Sequence, residues 1–282
     1  MRDEIRMSLA QLPPKAADRE ENAARLAGIV EAEARDHGAT LVVFPQLAGA
    51  AHLDGWPPDA TGLAAAAEPV PGPTTAALGL SAHDHGVYVI AGILERAGDG
   101  SLYDTAAVLG PDGGVLGVYR RTHLRPAERE TLAPGDSLGI FETELATIAL
   151  SVGYDGSFPE LARAQALEGA EVVVLLAAVD DAAAGDPEDS LILQCRSRAT
   201  ENFVYYAGCN LALTAGGEEH GSRSVIASCN GEVLADAAGR GEEVVRATLT
   251  EKAFREQRMY LTIFRDRRPE AYGLLVEGAT SR

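Results

Sequence analysis

The 282-residue chain is 46% hydrophobic and 23% charged, and its 42 acidic against 24 basic residues give a formal net charge of −18. That length suits one large α/β domain or two small ones, and so acidic a surface repels nucleic-acid phosphates and anionic membranes, so neither is expected as a partner. No apolar run nears the roughly 18 residues of a membrane span, and the start, MRDEIRMSLAQL, reads as a strand and not as a signal peptide. Three cysteines (Cys195, Cys209, Cys229), with no C-x-x-C spacing and no clustered histidines, fit a reducing cytoplasm and suggest no metal site.

Ile5–Leu12 reads as the first strand. Asp18 and Glu21 have capping-box spacing, which predicts a helix to about His37 with Leu26, Ile29 and Val30 on its apolar side. Thr40–Pro45 (TLVVFP) is a continuous apolar run of the kind a strand buried on both faces needs. A helix is expected from about Pro73, a residue suited to a first helical position, to His85, and a strand at Val87–Leu94. Leu102–Leu109 and Val115–Tyr119 flank Pro111-Asp112-Gly113-Gly114, which has the turn chemistry of a hairpin.

A second cycle begins with a strand at Thr147–Val152, a helix near Phe158–Glu168 and a buried strand at Glu171–Leu176. Asp180–Asp189 is small and polar and is expected as an exposed loop before a helix at Asp189–Asn202. Strands follow at Val204–Asn210, Ser224–Ser228 and Val244–Leu249, with a hairpin-type turn at Cys229-Asn230-Gly231. Two β-α-β-rich halves that also contain hairpins predict two sheets packed face to face with helices outside. A single domain over residues 1–282 is expected, with a core of about 5–272 and a C-terminal tail, 273–282.

Five segments resemble the nitrilase superfamily of carbon–nitrogen hydrolases. LVVFPQ (Leu41–Gln46) is similar to the family's strand ending in Phe-Pro-Glu. YRRTHL (Tyr119–Leu124) is similar to Tyr-Arg-Lys-x-His-Leu, and SVGYDGSFPELAR (Ser151–Arg163) to a block reading x-x-Cys-Tyr-Asp-x-x-Phe-Pro-Glu-Leu. Arg196–Asn210 resembles the Arg-Ala-Arg-Ala-x-Glu-Asn helix and its following strand, and RRPEAY (Arg267–Tyr272) the C-terminal Arg-Arg-Pro-x-x-Tyr. Their order and spacing hold from about Ile5 to Tyr272. The resemblance implies an α/β fold, a four-layer α-β-β-α sandwich, and a homodimer formed through the outer helices.

In that family a cysteine attacks an amide or nitrile carbon, a glutamate is the general base and a lysine meets the oxyanion charge. The resemblance places Gln46, Arg121 and Gly153 at the base, cation and nucleophile positions. A carboxamide takes no proton near neutral pH, and glycine has no side chain with which to form a covalent intermediate. Arginine keeps the charge in a planar five-donor fork. The substitutions predict a roomier pocket holding an amide and a guanidinium, suited to a small carboxylate or amide ligand.

Glu128 matches the family's second glutamate before a Pro-Gly and is expected to pair with Arg121, or else to remain as an acid/base. Tyr154 and Asp155 follow the vacated position and join the ligand-binding candidates, with packing and helix-start hydrogen bonding as their plainer roles. His123 reads as a structural histidine. Ser151, two residues before Gly153 and so on the same face if the strand continues, is a candidate substitute nucleophile, and Ser157 stands where the family usually has arginine. Lys15 and Lys252 fall outside the signature blocks.

Three readings follow. The first is a protein inactive as an amidase or nitrilase that binds a small ligand or another enzyme. The second is a repurposed enzyme using non-covalent acid/base chemistry through Glu128, Tyr154, Asp155 or His123. The third is an ordinary amide hydrolase. No cofactor is expected.

Overall fold

Alternation along β1 (Glu4–Gln11) sets the layers of the computed structural model, which describes residues 1–13, 19–50, 60–179, 190–215, 218–259 and 262–275. Ile5, Met7 and Leu9 point into a core between two sheets, whereas Ala10 and the following Leu12 pack beneath helices. Period-2 patterning has this consequence whenever both faces of a strand are covered.

The first sheet has the order β14-β1-β2-β3-β4-β5. Helix α1 (Arg19–His37) leads into β2 (Leu41–Val43), which lies parallel to β1; α2 (Ala60–Ala66) and α3 (Pro73–His85) lead into β3 (Tyr88–Arg96), parallel to β2. Strands β4 (Leu102–Leu109) and β5 (Val115–Arg120) then add antiparallel, and β14 (Glu243–Thr250) returns antiparallel to β1. The second sheet is built from β6 (Ile140–Glu142), β7 (Thr147–Val152), β8 (Val172–Ala177), β9 (Tyr205–Asn210), β12 (Val225–Ala227) and β13 (Val233–Asp236). Its order is β13-β12-β9-β8-β7-β6, with α4 (Pro159–Leu167) and α5 (Ser190–Asn202) as the parallel crossovers. A short hairpin pairs β10 (Leu213–Ala215) with β11 (Glu218–His220), and α6 (Glu251–Arg258) follows β14.

Three apolar clusters mark the four layers. One fills the space between the sheets, from Ile5, Leu9, Val43 and Ile90 on one side to Leu150, Val174, Leu176 and Cys209 on the other. The second seals α1 and α3 onto the first sheet through Leu26, Val30, Leu78 and Val89, and the third seals α4 and α5 onto the second through Ala162, Leu191 and Cys195. This is the expected α-β-β-α sandwich.

The differences from the expected elements have physical reasons. Residues Ile140–Glu142 and Val233–Asp236 form strands too short to display a period, and α6 is a short, highly charged helix that buries only Phe254, so it lacks the apolar run that marks a core element. Its cap is nonetheless local: the Thr250 hydroxyl accepts from the Ala253 N–H. Helix α2 was not anticipated in its alanine-rich stretch. The Asp18 cap and the Asp180–Asp189 loop lie outside the described residues. Among those described, no helix is long and apolar enough to cross a membrane.

One polar lock crosses the helix layer. Glu33 of α1 accepts from Arg246 Nε at 2.7 Å, from Arg246 Nη2 at 2.6 Å and from the Ser8 hydroxyl at 2.9 Å, tying α1 to β14 and β1. Burial pushes the Glu33 carboxyl up, but those hydrogen bonds and the guanidinium charge outweigh it and hold it below its ordinary value of 4.5. A carboxyl depressed on folding adds stability that is complete above its unfolded pKa and vanishes as pH falls through the folded one. The urea midpoint should therefore drop as pH is lowered below 4.5, and Glu33→Gln should show a smaller drop over the same interval.

Candidate functional site

Gln46, Arg121 and Gly153 follow the ends of β2, β5 and β7, and the sandwich brings Gln46 against Gly153. The chain can turn so tightly at Gln46 because Gly92 lies beneath it. A Cβ at Gly92 would stand 2.3 Å from the Pro45 carbonyl and 2.5 Å from the Leu47 nitrogen. Gly153 has a positive φ of 52°, which glycine adopts without the strain an L side chain would suffer. A Cβ there would meet the Gln46 carboxamide, with Oε1 at 2.7 Å and Nε2 at 2.8 Å. The expected roomier pocket is therefore corrected at this point: the Gln46 amide occupies the space beside Gly153.

What holds that amide is a residue the sequence reading missed. Gln46 Nε2 donates to Asp104 Oδ2 at 2.5 Å, and Arg121 Nε lies 3.4 Å from the same oxygen. Arg121 Nη2 also pairs with Glu128 Oε1 at 3.0 Å, while Glu128 Oε2 accepts the Arg125 N–H at 2.7 Å. Two carboxylates thus face one guanidinium, and Arg121 is not left free to greet an incoming anion. Both oxygens of Glu128 are occupied, which disfavours it as an acid/base. Asp104 and Arg121 are 2% and 3% exposed, so their attraction is weakly screened. Burial pushes the Asp104 carboxyl up, and Arg121 and the Gln46 amide only partly reverse this. Burial alone would lower Arg121, but Asp104 and Glu128 carry it above its ordinary value. Asp104 Oδ1 and Arg121 Nε have no hydrogen-bond partner among the described residues. The missed signal was the one charged residue, an aspartate, in the strand LYDTAAVL.

Asp155 organises the other wall. Its Oδ1 accepts the His123 N–H at 2.9 Å and faces His123 Nδ1 at 2.8 Å. Its Oδ2 accepts from the Tyr119 hydroxyl at 2.7 Å and the Val152 N–H at 3.0 Å. One buried carboxylate so joins the Tyr119–Leu124 segment to the turn that carries Gly153. His123 stacks on Phe158 at 3.8 Å, Tyr154 meets Phe158 edge-on, and the Arg125 guanidinium lies 5.0 Å from the Tyr154 ring.

The remaining candidates fall elsewhere. Ser151 is buried, with Gln165 Nε2 of α4 at 3.5 Å, on the strand face opposite to that of Leu150 and Val152. Ser157 is exposed. Cys195, Cys209 and Cys229 are buried free thiols whose pKa values burial pushes well up, which suits inert packing and not a nucleophile. Lys252 is exposed beside Glu256, and Lys15 lies outside the described residues. No metal-holding group of three or more His, Cys, Asp or Glu exists among the described residues.

Two six-stranded sheets with helices on both outer faces, and a polar cluster at the strand ends, define a nitrilase-type sandwich. The chain matches the carbon–nitrogen hydrolase family over residues 6–259 and belongs to it. It is 33% identical over 282 residues to omega-amidase NIT2 of Bos taurus, covering 95% of this chain and 96% of that protein. The fold superimposes on a carbon–nitrogen hydrolase from Helicobacter pylori G27 with a TM-score of 0.84 at 24% identity, over 98% of this chain and 99% of that one. It also matches, with a TM-score of 0.76 at 24% identity and 97% coverage of both chains, a double mutant of the amidase from Nesterenkonia sp. AN1 in complex with acrylamide. That mutant has one glutamate replaced by glutamine and one cysteine by alanine.

Proposed function

We propose that this chain binds a small amide at the Gln46–Asp104–Arg121–Glu128 cluster and does not hydrolyse it through a thiol. The observation that carries the reading is the Gln46 carboxamide packed 2.7 Å from where a side chain at position 153 would begin. A residue that neither takes a proton nor leaves room for a nucleophile supports binding and not turnover. An amide is favoured over a carboxylate because Asp104 and Glu128 already neutralise Arg121. The Nesterenkonia amidase, with glutamine for a glutamate and alanine for a cysteine, holds acrylamide, which is consistent with amide binding on this fold without a cysteine nucleophile. The protein is read as a cytoplasmic homodimer whose ligand, or a second enzyme that it contacts, gives the binding its use.

Calorimetry with propionamide and acrylamide should show saturable binding, while ammonia assays over the same concentrations stay at background and are unchanged by thiol reagents. Enzyme-like ammonia release by the wild type would refute the reading.

The Asp155–His123 pair favours one version of the repurposed-enzyme reading. With Nδ1 turned to the carboxylate, His123 Nε2 is the nitrogen left to take a proton, on a side chain 31% exposed. This version requires turnover that disappears in His123→Gln while the fold is kept. A variant as active as the wild type would dismiss it.

A further inference from the structure

Asp104 stands against both the Gln46 amide and the Arg121 guanidinium of this site. Three observations converge on it. Its Oδ2 engages both the Gln46 amide and the Arg121 guanidinium, so one oxygen positions the first group and neutralises the second. It is 2% exposed on β4, between β3 and β5 of the first sheet, where little solvent dilutes its field, whereas Glu128 on the other side of Arg121 is 32% exposed and partly screened. And the cluster's buried atoms without a hydrogen bond are one acceptor, Asp104 Oδ1, and one donor, Arg121 Nε, whose ion pair with Asp104 Oδ2 is long at 3.4 Å.

A primary amide offers the complementary pair, an N–H for the first and a carbonyl oxygen for the second. A carboxylate offers only acceptors, and would set a second negative charge against Asp104 Oδ1. Such like-charge juxtaposition is a strong means of excluding a ligand. We propose that Asp104 is a specificity-determining residue, one that selects neutral amides and rejects carboxylates by cancelling Arg121. This rests on the amide-binding reading above.

Asp104→Asn tests it, because the replacement keeps the shape and removes the charge. Across Asp104, Arg121 and Glu128 the formal sum is −1 with the aspartate ionised, one cation against two anions, and the variant brings it to zero. The probes are propionamide and propionate, titrated by calorimetry into the full chain at low salt. The wild type should favour propionamide by at least about tenfold, and Asp104→Asn should bind propionate at least about tenfold more tightly than the wild type does. Asp104→Ser provides a second neutral variant should the asparagine disturb the strand, and near-ultraviolet circular dichroism confirms the fold of each. Folded neutral variants with no gain for propionate overturn the role of Asp104. Gain for propionate without any wild-type affinity for propionamide instead leaves Asp104 as the anion-excluding charge and removes the amide-binding reading.

Discussion

Asp155→Ala is expected to lower the free energy of unfolding by about 3–5 kcal/mol, the range found when a buried, hydrogen-bonded charge partner is removed. Asp155 is 1% exposed and serves four groups. Its loss leaves the Val152 N–H without an acceptor inside the protein, at a cost of about 1–3 kcal/mol unless water enters, and leaves the Tyr119 hydroxyl only the Thr122 hydroxyl, 2.9 Å away, as a partner. Tyr119 is completely buried and packs in the core between the sheets, so its hydroxyl has little chance of solvent. Asp155→Asn keeps the shape and one acceptor oxygen, and should lose less. Urea unfolding followed by fluorescence and circular dichroism gives both values. A loss below about 1 kcal/mol for the alanine variant would fall to the level of an ordinary neutral hydrogen bond. The segment from Tyr119 to Leu124 would then be held in place mainly by packing.

That network also shows what could be read from residues alone. The layers were legible because short, β-branched apolar runs such as TLVVFP and VVVLL favour strands covered on both faces, and the structure buries Leu41–Val43 and Val172–Leu176 completely. Gln46, Arg121 and Gly153 could be singled out because each falls within a recognisable segment. Their relation could not. Sequence spacing gives no account of how far the Gln46 amide reaches, and Asp104, which settles that reach, lies on a strand no signature block includes. Glu128 was expected near Arg121 and lies 3.0 Å from it, but that both its oxygens are taken depends on a backbone N–H from Arg125. Long-range charge partners are set by tertiary packing, and a local pattern carries no record of them.

The Asp104 contact also bears on what a thiol site built here would do. Gln46→Glu, Arg121→Lys and Gly153→Cys together supply the residue types that a thiol amidase needs, yet this triple variant should remain close to the wild type in ammonia release from propionamide. A carboxylate at position 46 would stand where the present amide meets Asp104 Oδ2, at 2.5 Å. Two buried carboxyls at that separation cannot both ionise, so they share a proton, and the base is lost when it is most needed. The new ammonium at position 121 would likewise remain paired to Asp104. Adding Asp104→Asn removes both obstacles: the carboxylate at 46 gains a donor in place of a competitor, and the cation is released toward the oxyanion. The quadruple variant should exceed the triple by about 10²–10⁴-fold in kcat/KM, the range that a positioned general base contributes, and it alone should be inhibited by a thiol reagent. The new side chain at 153 must also displace the carboxyl at 46 from the space that the Gln46 amide now fills, 2.7 Å away. If triple and quadruple variants are equally slow, that steric contact, and not the charge on Asp104, is what limits the substituted site.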